Sequence, residues 1–101
     1  MNLRHEPAER KALLLTAALT EARRVGYQQV TRESLAAQAA CSPALISAYF
    51  GTMHKMRRAI ISAAIARSDL AVLAQGLAAR DAKARTARPE LQRAAMESML
   101  S

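Results

Sequence analysis

Apolar residues recur along most of the chain at intervals of three and four, the spacing that places them on one face of an α-helix. The longest such stretch begins at residue 7 or 8 and continues to Val25, and Gly26 follows it where a helix readily ends. Glu21 and Arg24 lie off its apolar stripe. The residues of the stripe are Leu14, Leu15, Ala18, Leu19 and Ala22. We therefore predict a first amphipathic helix, preceded by a polar arm at residues 1–7.

Two helix start signals follow, about eleven residues apart. The hydroxyl groups of Thr31 and Ser42 can each accept a hydrogen bond from the free amides in the first turn of a helix. Pro43 suits a first helical position because its missing N–H is not needed there, and Gly51 interrupts the apolar spacing after Phe50. The pattern predicts a second helix from residue 32, a tight turn, and a third helix from residue 43 to about residue 50.

The remaining sequence predicts three more helices. The fourth begins near Met53 or His54 and reaches residue 67 or 68, and the fifth is capped by Ser68 or Asp69. The alternative is a bend rather than a break at this boundary. Pro89 and Glu90 are typical of the first turn of a final helix. The predicted fold class is therefore all-α, with a three-helix unit that contains the helix, turn, helix pattern, then a fourth helix and a short helical C-terminal extension.

The composition determines how the core is built. Apolar residues make up 51% of the 101 residues but aromatic residues only 3%, so Leu, Ile, Val, Met and Ala must fill the interior. A domain this small buries a modest share of its surface, and pairing with a second copy would stabilise it further. We divide the chain into the arm, a helical unit at 8–52, and a helical extension at 53–101 that is expected to dimerise.

Charge indicates the kind of partner. The chain carries 15 Lys and Arg against 8 Asp and Glu, a net charge of +7, which favours a polyanion. Residues 1–60 hold nine of the basic and four of the acidic residues, a net charge of +5, so most of the excess flanks the second and third helices. The alternative is a solvated basic surface that serves only solubility.

Several classes of function are not expected. Cys41 is the only cysteine, so neither an intramolecular disulfide nor a multi-cysteine metal site can form. His5 and His54 lie in different segments, and no nucleophile motif or glycine-rich phosphate loop is present, so we expect neither an enzyme nor a bound cofactor or metal. No apolar run approaches the roughly 18 to 20 residues of a membrane span, and the N-terminus lacks an apolar signal core. These features predict a cytoplasmic protein without a membrane partner.

Residues 14–56 contain several spaced features in one register. These are the first-helix pattern from Leu14, the glycine-aromatic corner at Gly26, the second-helix threonine Thr31, the turn serine Ser42 and the Tyr-Phe pair that ends the third helix. The other positions of the pattern are Leu15, Ala17, Ala18, Tyr27, Leu35, Ala36, Ala39, Ile46, Tyr49 and Phe50. In order and spacing, without insertion or deletion, this stretch resembles the DNA-binding region of the TetR family of transcriptional regulators. The resemblance implies a helix-turn-helix domain whose third helix enters the major groove of double-stranded DNA.

Four positions depart from the family pattern, namely Ala22, Ala40, Ser47 and Met53. Ala40 stands where the family has a turn glycine. If the turn keeps a left-handed residue there, alanine costs roughly 1 to 2 kcal/mol, and an altered turn is the alternative. Met53 stands where the family has a lysine that contacts a phosphate, so Lys55, Arg57 or Arg58 is expected to supply that contact.

The resemblance and a helical wheel together select the DNA contacts. With Ile46 and Phe50 facing the core, the opposite face of the third helix presents small residues, whose methyl groups would meet thymine methyls while one serine offers a hydrogen bond. The start of the third helix favours a nearby phosphate of the DNA backbone, and residues on either side of that helix would bind further phosphates. The predicted DNA-binding residues are Thr31, Arg32, Glu33, Ser42, Pro43, Ala44, Leu45, Ser47, Ala48, Tyr49 and Lys55. The alternative is that this face binds another protein.

The tail is short for a regulator of this kind. Members of the family usually continue into a long helical domain that binds a small ligand and dimerises, whereas 45 residues follow residue 56. A ligand pocket typically needs about 300 Å³ or more of enclosed space, which one or two alanine-rich helices cannot enclose without losing their own packing. No small-molecule ligand is therefore expected. The tail is expected to dimerise through Ile61, Ile65, Leu70, Leu73 and Leu77. The sequence thus predicts a homodimeric repressor of a palindromic operator; the alternative is a helical interaction protein.

Overall fold

The computed structural model describes residues 6–100, so residues 1–5 of the predicted arm and Ser101 lie outside the described residues. Within residues 6–100 there are six α-helices, two short 3₁₀ segments and no strand. The α-helices are α1 (Pro7–Val25), α2 (Arg32–Ala39), α3 (Pro43–Phe50), α4 (Met53–Ala66), α5 (Leu70–Ala78) and α6 (Pro89–Ser98). The 3₁₀ segments are Tyr27–Gln29 and Ala84–Thr86. The prediction of an all-α fold is confirmed.

Side-chain caps fix where four of the helices begin. Oxygens of Thr31, Ser42, Thr52 and Asp69 accept hydrogen bonds from backbone amides in the first turns of α2, α3, α4 and α5, in that order. At α2 the capping is reciprocal, because Thr31 and Ser34 each donate a backbone N–H to the other's hydroxyl oxygen at 3.0 Å. A cap of this kind contributes typically about 1 kcal/mol. The predicted starts of these helices are confirmed.

One hydrophobic core runs through all six helices. Helix α1 packs against α2, α4 and α5, α3 packs against α2 and α4, and α6 packs on α5. The largest apolar residues that are fully buried in this core are Leu14, Val30, Leu35, Ile46, Met56, Ile60, Ile61, Val72 and Leu73. The helices beyond residue 52 therefore share a core with those before it.

Helix α5 is tied to the corner between α1 and α2 by one side chain. Gln75 Nε2 donates to the carbonyl of Ala22 at 3.0 Å, and Gln75 Oε1 accepts from the N–H of Tyr27 at 2.8 Å. Ala22 lies in the last turn of α1, and Tyr27 follows the end of that helix. The tail thereby gives the Tyr27 amide its acceptor and adds a second donor to the Ala22 carbonyl, which also accepts from the N–H of Gly26.

Glu21 is an exception to the predicted polar side of α1, because it is only 1% exposed. Arg24 lies one turn further along and donates two hydrogen bonds to its carboxylate, from Nε at 2.8 Å and from Nη2 at 3.0 Å. This fork lowers the pKa of Glu21, and burial opposes the shift. The sequence indicates only that Glu21 lies off the apolar stripe and does not predict its burial; a bidentate partner allows the carboxylate to be buried.

Candidate functional site

The turn between α2 and α3 occupies residues 40–42. Ala40 has φ 56° and ψ 47°, which is the left-handed helical region. Its N–H donates to the carbonyl of Ala37 at 3.3 Å, and the N–H of Cys41 donates to the carbonyl of Ala36 at 2.9 Å. These are bonds that close the end of a helix when a glycine follows it. The turn thus keeps its left-handed residue even though that residue is alanine.

Helix α3 has one buried face and one exposed face. Ile46 and Phe50 are buried, while Leu45 and Tyr49 are half-buried at the edges. The exposed residues at its start and along its outer face are Ser42, Pro43, Ala44, Ser47 and Ala48. The side chains on this face are short, so another molecule could approach the backbone of α3 closely.

The hydroxyl groups that cap α2 and α3 retain a hydrogen-bond donor. Thr31 Oγ1 accepts from the amide of Ser34, and Ser42 Oγ accepts from the amide of Leu45 at 3.2 Å. A hydroxyl has one proton to donate in addition to its acceptor positions. Neither Thr31 nor Ser42 donates that proton to another group within residues 6–100. Both can therefore cap a helix and donate to a ligand oxygen at the same time.

Two basic side chains meet at the turn that follows α3. Arg32 Nη2 donates to the carbonyl of Gly51 at 3.2 Å, and Cδ of Lys55 lies 3.3 Å from the position that a Cβ on Gly51 would occupy. Gly51 has φ 74°, a conformation that favours glycine. The start of α2, the end of α3 and the first turn of α4 therefore converge at Gly51, with two positive charges beside it.

Tyr49 and Glu33 complete the predicted set. The ring of Tyr49 packs partly against the core, and its hydroxyl makes no hydrogen bond within residues 6–100. Glu33 is exposed next to Arg32. Ser42 lies at the start of α3, whereas Arg32 and Lys55 lie near Gly51 at its end; an eight-residue helix of this kind is about 12 Å long. The structure thus places the predicted residues in two groups, one at each end of α3, joined by its exposed face.

A basic cleft of about 340 Å³ opens beside the first turns of α4. It is lined by Tyr27, Gln28, His54, Arg57, Arg58, Asp81, Ala82 and Lys83. Arg57 and Arg58 were expected near the DNA, whereas Lys83 was not singled out by the sequence. No spacing signal joins Lys83 to α4, because it comes from the connection between α5 and α6.

Two of the residues expected at a dimer interface are placed elsewhere. Ile61 and Leu73 are 0% exposed, because they pack into the chain's own core, so a second copy cannot reach them in this conformation. The other three are half-buried, namely Ile65, Leu70 and Leu77. Met96 and Met99 near the end of the chain are about half exposed, at 49% and 53%. Leu77 and Met96 line a common open cleft of about 420 Å³.

Comparison with known proteins gives no match, since no family model, no curated protein and no solved structure is significantly similar to the chain. Among the helices of residues 6–100, none combines the length and the apolar character that a membrane crossing requires. The same residues contain no group of three or more His, Cys, Asp or Glu side chains placed to hold a metal ion. Burial raises the pKa of the Cys41 thiol, which disfavours the nucleophilic thiolate.

Proposed function

We propose that the chain is a sequence-specific DNA-binding transcriptional regulator in which α2, the turn at 40–42 and α3 form a helix-turn-helix motif. The observation that carries the proposal is the division of α3 into a buried face, with Ile46 and Phe50, and an exposed face of short side chains. A helix of this kind fits a major groove, which is about 12 Å wide. The resemblance of residues 14–56 to the TetR family supports the same assignment.

Phosphate contacts supply most of the proposed affinity. Thr31 and Ser42 each have a hydroxyl proton available, Tyr49 has an unpaired hydroxyl within the described chain, and Arg32 and Lys55 add positive charge. Groups of these types bind backbone phosphates without reading the sequence. Because each phosphate contact releases counterions, the affinity falls steeply as the salt concentration rises.

Base recognition is restricted by the side chains of α3. Ala44, Leu45 and Ala48 offer methyl groups that suit thymine, and Ser47 offers one hydrogen bond. A bidentate pair from Arg, Asn or Gln would contribute about 1 to 3 kcal/mol of discrimination, and residues 43–50 include none of these types. Specificity in this proposal therefore depends on methyl contacts and on the geometry of two half-sites.

We propose that two copies bind a palindromic operator as a repressor dimer, with half-sites about 34 Å apart. The half-buried Ile65, Leu70 and Leu77 remain available to a second copy. Met96 and Met99 extend the apolar surface along α6. A molecular mass in solution that corresponds to a monomer at micromolar concentration would contradict the proposed dimer.

A mobility-shift assay with genomic fragments at two salt concentrations tests the proposal. We expect a preferred fragment whose binding weakens at the higher salt. Ser47→Ala and Tyr49→Phe each remove one hydroxyl, and each should weaken operator binding by roughly three- to tenfold, the loss expected for one hydrogen bond. Ser68→Ala is the matched control, because Ser68 is exposed and lies outside the proposed surface. Unchanged affinity in both test variants would show that α3 is not in the groove.

One observation favours a second function. Pro43, Ala44 and Ala48 form an exposed apolar surface, and such surfaces also bind proteins. In that case the wild-type chain would show no sequence preference even at low salt. The mobility-shift assay therefore separates the two functions.

A further inference from the structure

The basic cleft lies between the first two turns of α4, the 3₁₀ segment Tyr27–Gln29 and the connection after α5. Arg57, Arg58 and Lys83 supply three positive charges to its lining and Asp81 supplies one negative charge, a net charge of +2 with the histidine counted as neutral. A concentration of positive charge in a concave surface attracts anions more strongly than the same charge on a flat surface.

Asp81 does not neutralise the basic side chains of the cleft, because both of its carboxylate oxygens accept hydrogen bonds from other groups. Oδ1 accepts from the backbone amides of Lys83 at 2.9 Å and Ala84 at 3.1 Å, and Oδ2 accepts from the Tyr27 hydroxyl at 3.3 Å. These bonds hold the connection after α5 against the 3₁₀ segment. Asp81 thus shapes the wall of the cleft and, within residues 6–100, forms no ion pair with the basic side chains that line it.

The basic side chains have hydrogen-bond capacity to spare. Neither the guanidinium of Arg58 nor the amine of Lys83 makes a hydrogen bond or an ion pair within residues 6–100. Arg57 donates from Nη2 to the carbonyl of Val30 at 3.3 Å, and its Nε is buried without a partner. The donors of Arg58 and Lys83 are therefore available to an anion in the cleft.

The cleft is close to the proposed DNA surface along the chain. Gln28 precedes Thr31 by three residues, a span of at most about 11 Å, and His54 is the neighbour of Lys55. Successive phosphates of one DNA strand lie about 3.4 Å apart along the helix axis. A strand that contacts Thr31 and runs toward the cleft would therefore present another phosphate to it within about three nucleotides.

We propose that the basic cleft binds a phosphate of the DNA backbone beyond the contacts made by α3. This inference rests on the proposed function, and it extends the DNA contact to the connection between α5 and α6. A free phosphate anion has the same chemistry as a backbone phosphate, so the test must distinguish the two sources.

The experiment measures operator affinity as a function of salt for the full chain and for two double variants. Arg58→Gln with Lys83→Gln removes two charges from the cleft. Arg85→Gln with Arg93→Gln removes two charges from exposed residues that do not line it. The cleft variant should bind about tenfold more weakly at moderate salt, and the slope of log K against log salt should fall by about one to two. The control variant should change affinity by less than about twofold.

Three other outcomes overturn the inference alone, and a fourth also rejects the proposed function. Equal losses in the two variants would mean that only the overall charge matters. An unchanged slope in the cleft variant, while the wild type still prefers its operator, would leave the proposed function intact and remove the cleft from the contact. Inorganic phosphate that shifts the amide resonances of Arg58 and Lys83 saturably, together with an unchanged DNA salt slope, would assign the cleft to a free anion. Wild-type protein without any sequence preference would reject the proposed function itself.

Discussion

Replacing Ala40 with glycine should stabilise the chain. Ala40 is exposed and has φ 56° and ψ 47°, so its Cβ is crowded by the backbone at a cost of roughly 1 to 2 kcal/mol. Glycine removes that cost, but it also increases the freedom of the unfolded chain by about 0.4 to 1 kcal/mol. The two effects leave a net gain between about 0 and 1.6 kcal/mol, centred near about 0.8 kcal/mol, in the free energy of unfolding.

Ala37→Gly is the matched control for this change. Ala37 is also exposed and lies in α2, three residues before Ala40. The same methyl group is removed there from a right-handed helical residue, which should destabilise the chain by about 0.5 to 1 kcal/mol. Two substitutions with identical chemistry should therefore change stability in opposite directions.

Urea and thermal unfolding, followed by far-ultraviolet circular dichroism, measure both variants. For a domain of this size, a change of 1 kcal/mol corresponds to roughly 4 to 8 °C in Tm, so Ala40→Gly should melt several degrees above the wild type and Ala37→Gly several degrees below it. If Ala40→Gly melts below the wild type, the left-handed alanine is not a source of strain.

Three further changes test the packing. Gly76→Ala should destabilise the chain by about 1 to 3 kcal/mol in the same assay, because its Cβ would lie 2.8 Å from that of Ala84; a stable variant would contradict the close approach. Gln75→Ala should cost about 1 to 3 kcal/mol, because it leaves the amide of Tyr27 without its partner, and an unchanged urea midpoint would show that this bond is dispensable. The pKa of Glu21 is lowered, chiefly by its hydrogen bonds from Arg24. The ionised carboxylate therefore contributes fully to the free energy of unfolding above the ordinary carboxyl pKa of about 4.3, and this contribution is lost as the pH falls through the lower pKa of the folded state. Glu21→Gln should therefore flatten the loss of stability in that acidic window, and an equally steep loss would assign it to other carboxylates.

Helix boundaries were predictable because the signals that set them are local. Thr31, Ser42 and Asp69 are each followed within three residues by the amide they cap. Pro43 and Pro89 occupy the first positions of their helices, as the sequence predicts. No long-range contact is needed to recognise any of these features, so they can be read from one sequence.

Contacts between distant elements were not predictable in the same way. An apolar stripe on a tail helix has the same spacing whether it faces its own chain or a second copy, and for this reason Ile61 and Leu73 were assigned to a dimer although the chain buries them. Lys83 joins Arg58 only because the connection after α5 returns to α4. Glu21 is buried because Arg24 forms a fork with it, and sequence spacing alone does not distinguish such a pair from two exposed charges.

The short side chains around α3 have an advantage that offsets their limited chemistry. Ordering a long, flexible side chain at an interface costs about 0.5 to 1.5 kcal/mol, but Ala44 and Ala48 have no such freedom to lose. Thr31 and Ser42 are held in place by the helix amides they cap, and Arg32 is restrained by its bond to Gly51. A surface of this kind forms contacts with little loss of entropy, although each contact discriminates weakly between bases. If the chain binds an operator as proposed, its selectivity would depend on many ordered weak contacts acting together in two half-sites. Any change that loosens the caps or the proposed dimer should then reduce specificity more than it reduces nonspecific affinity.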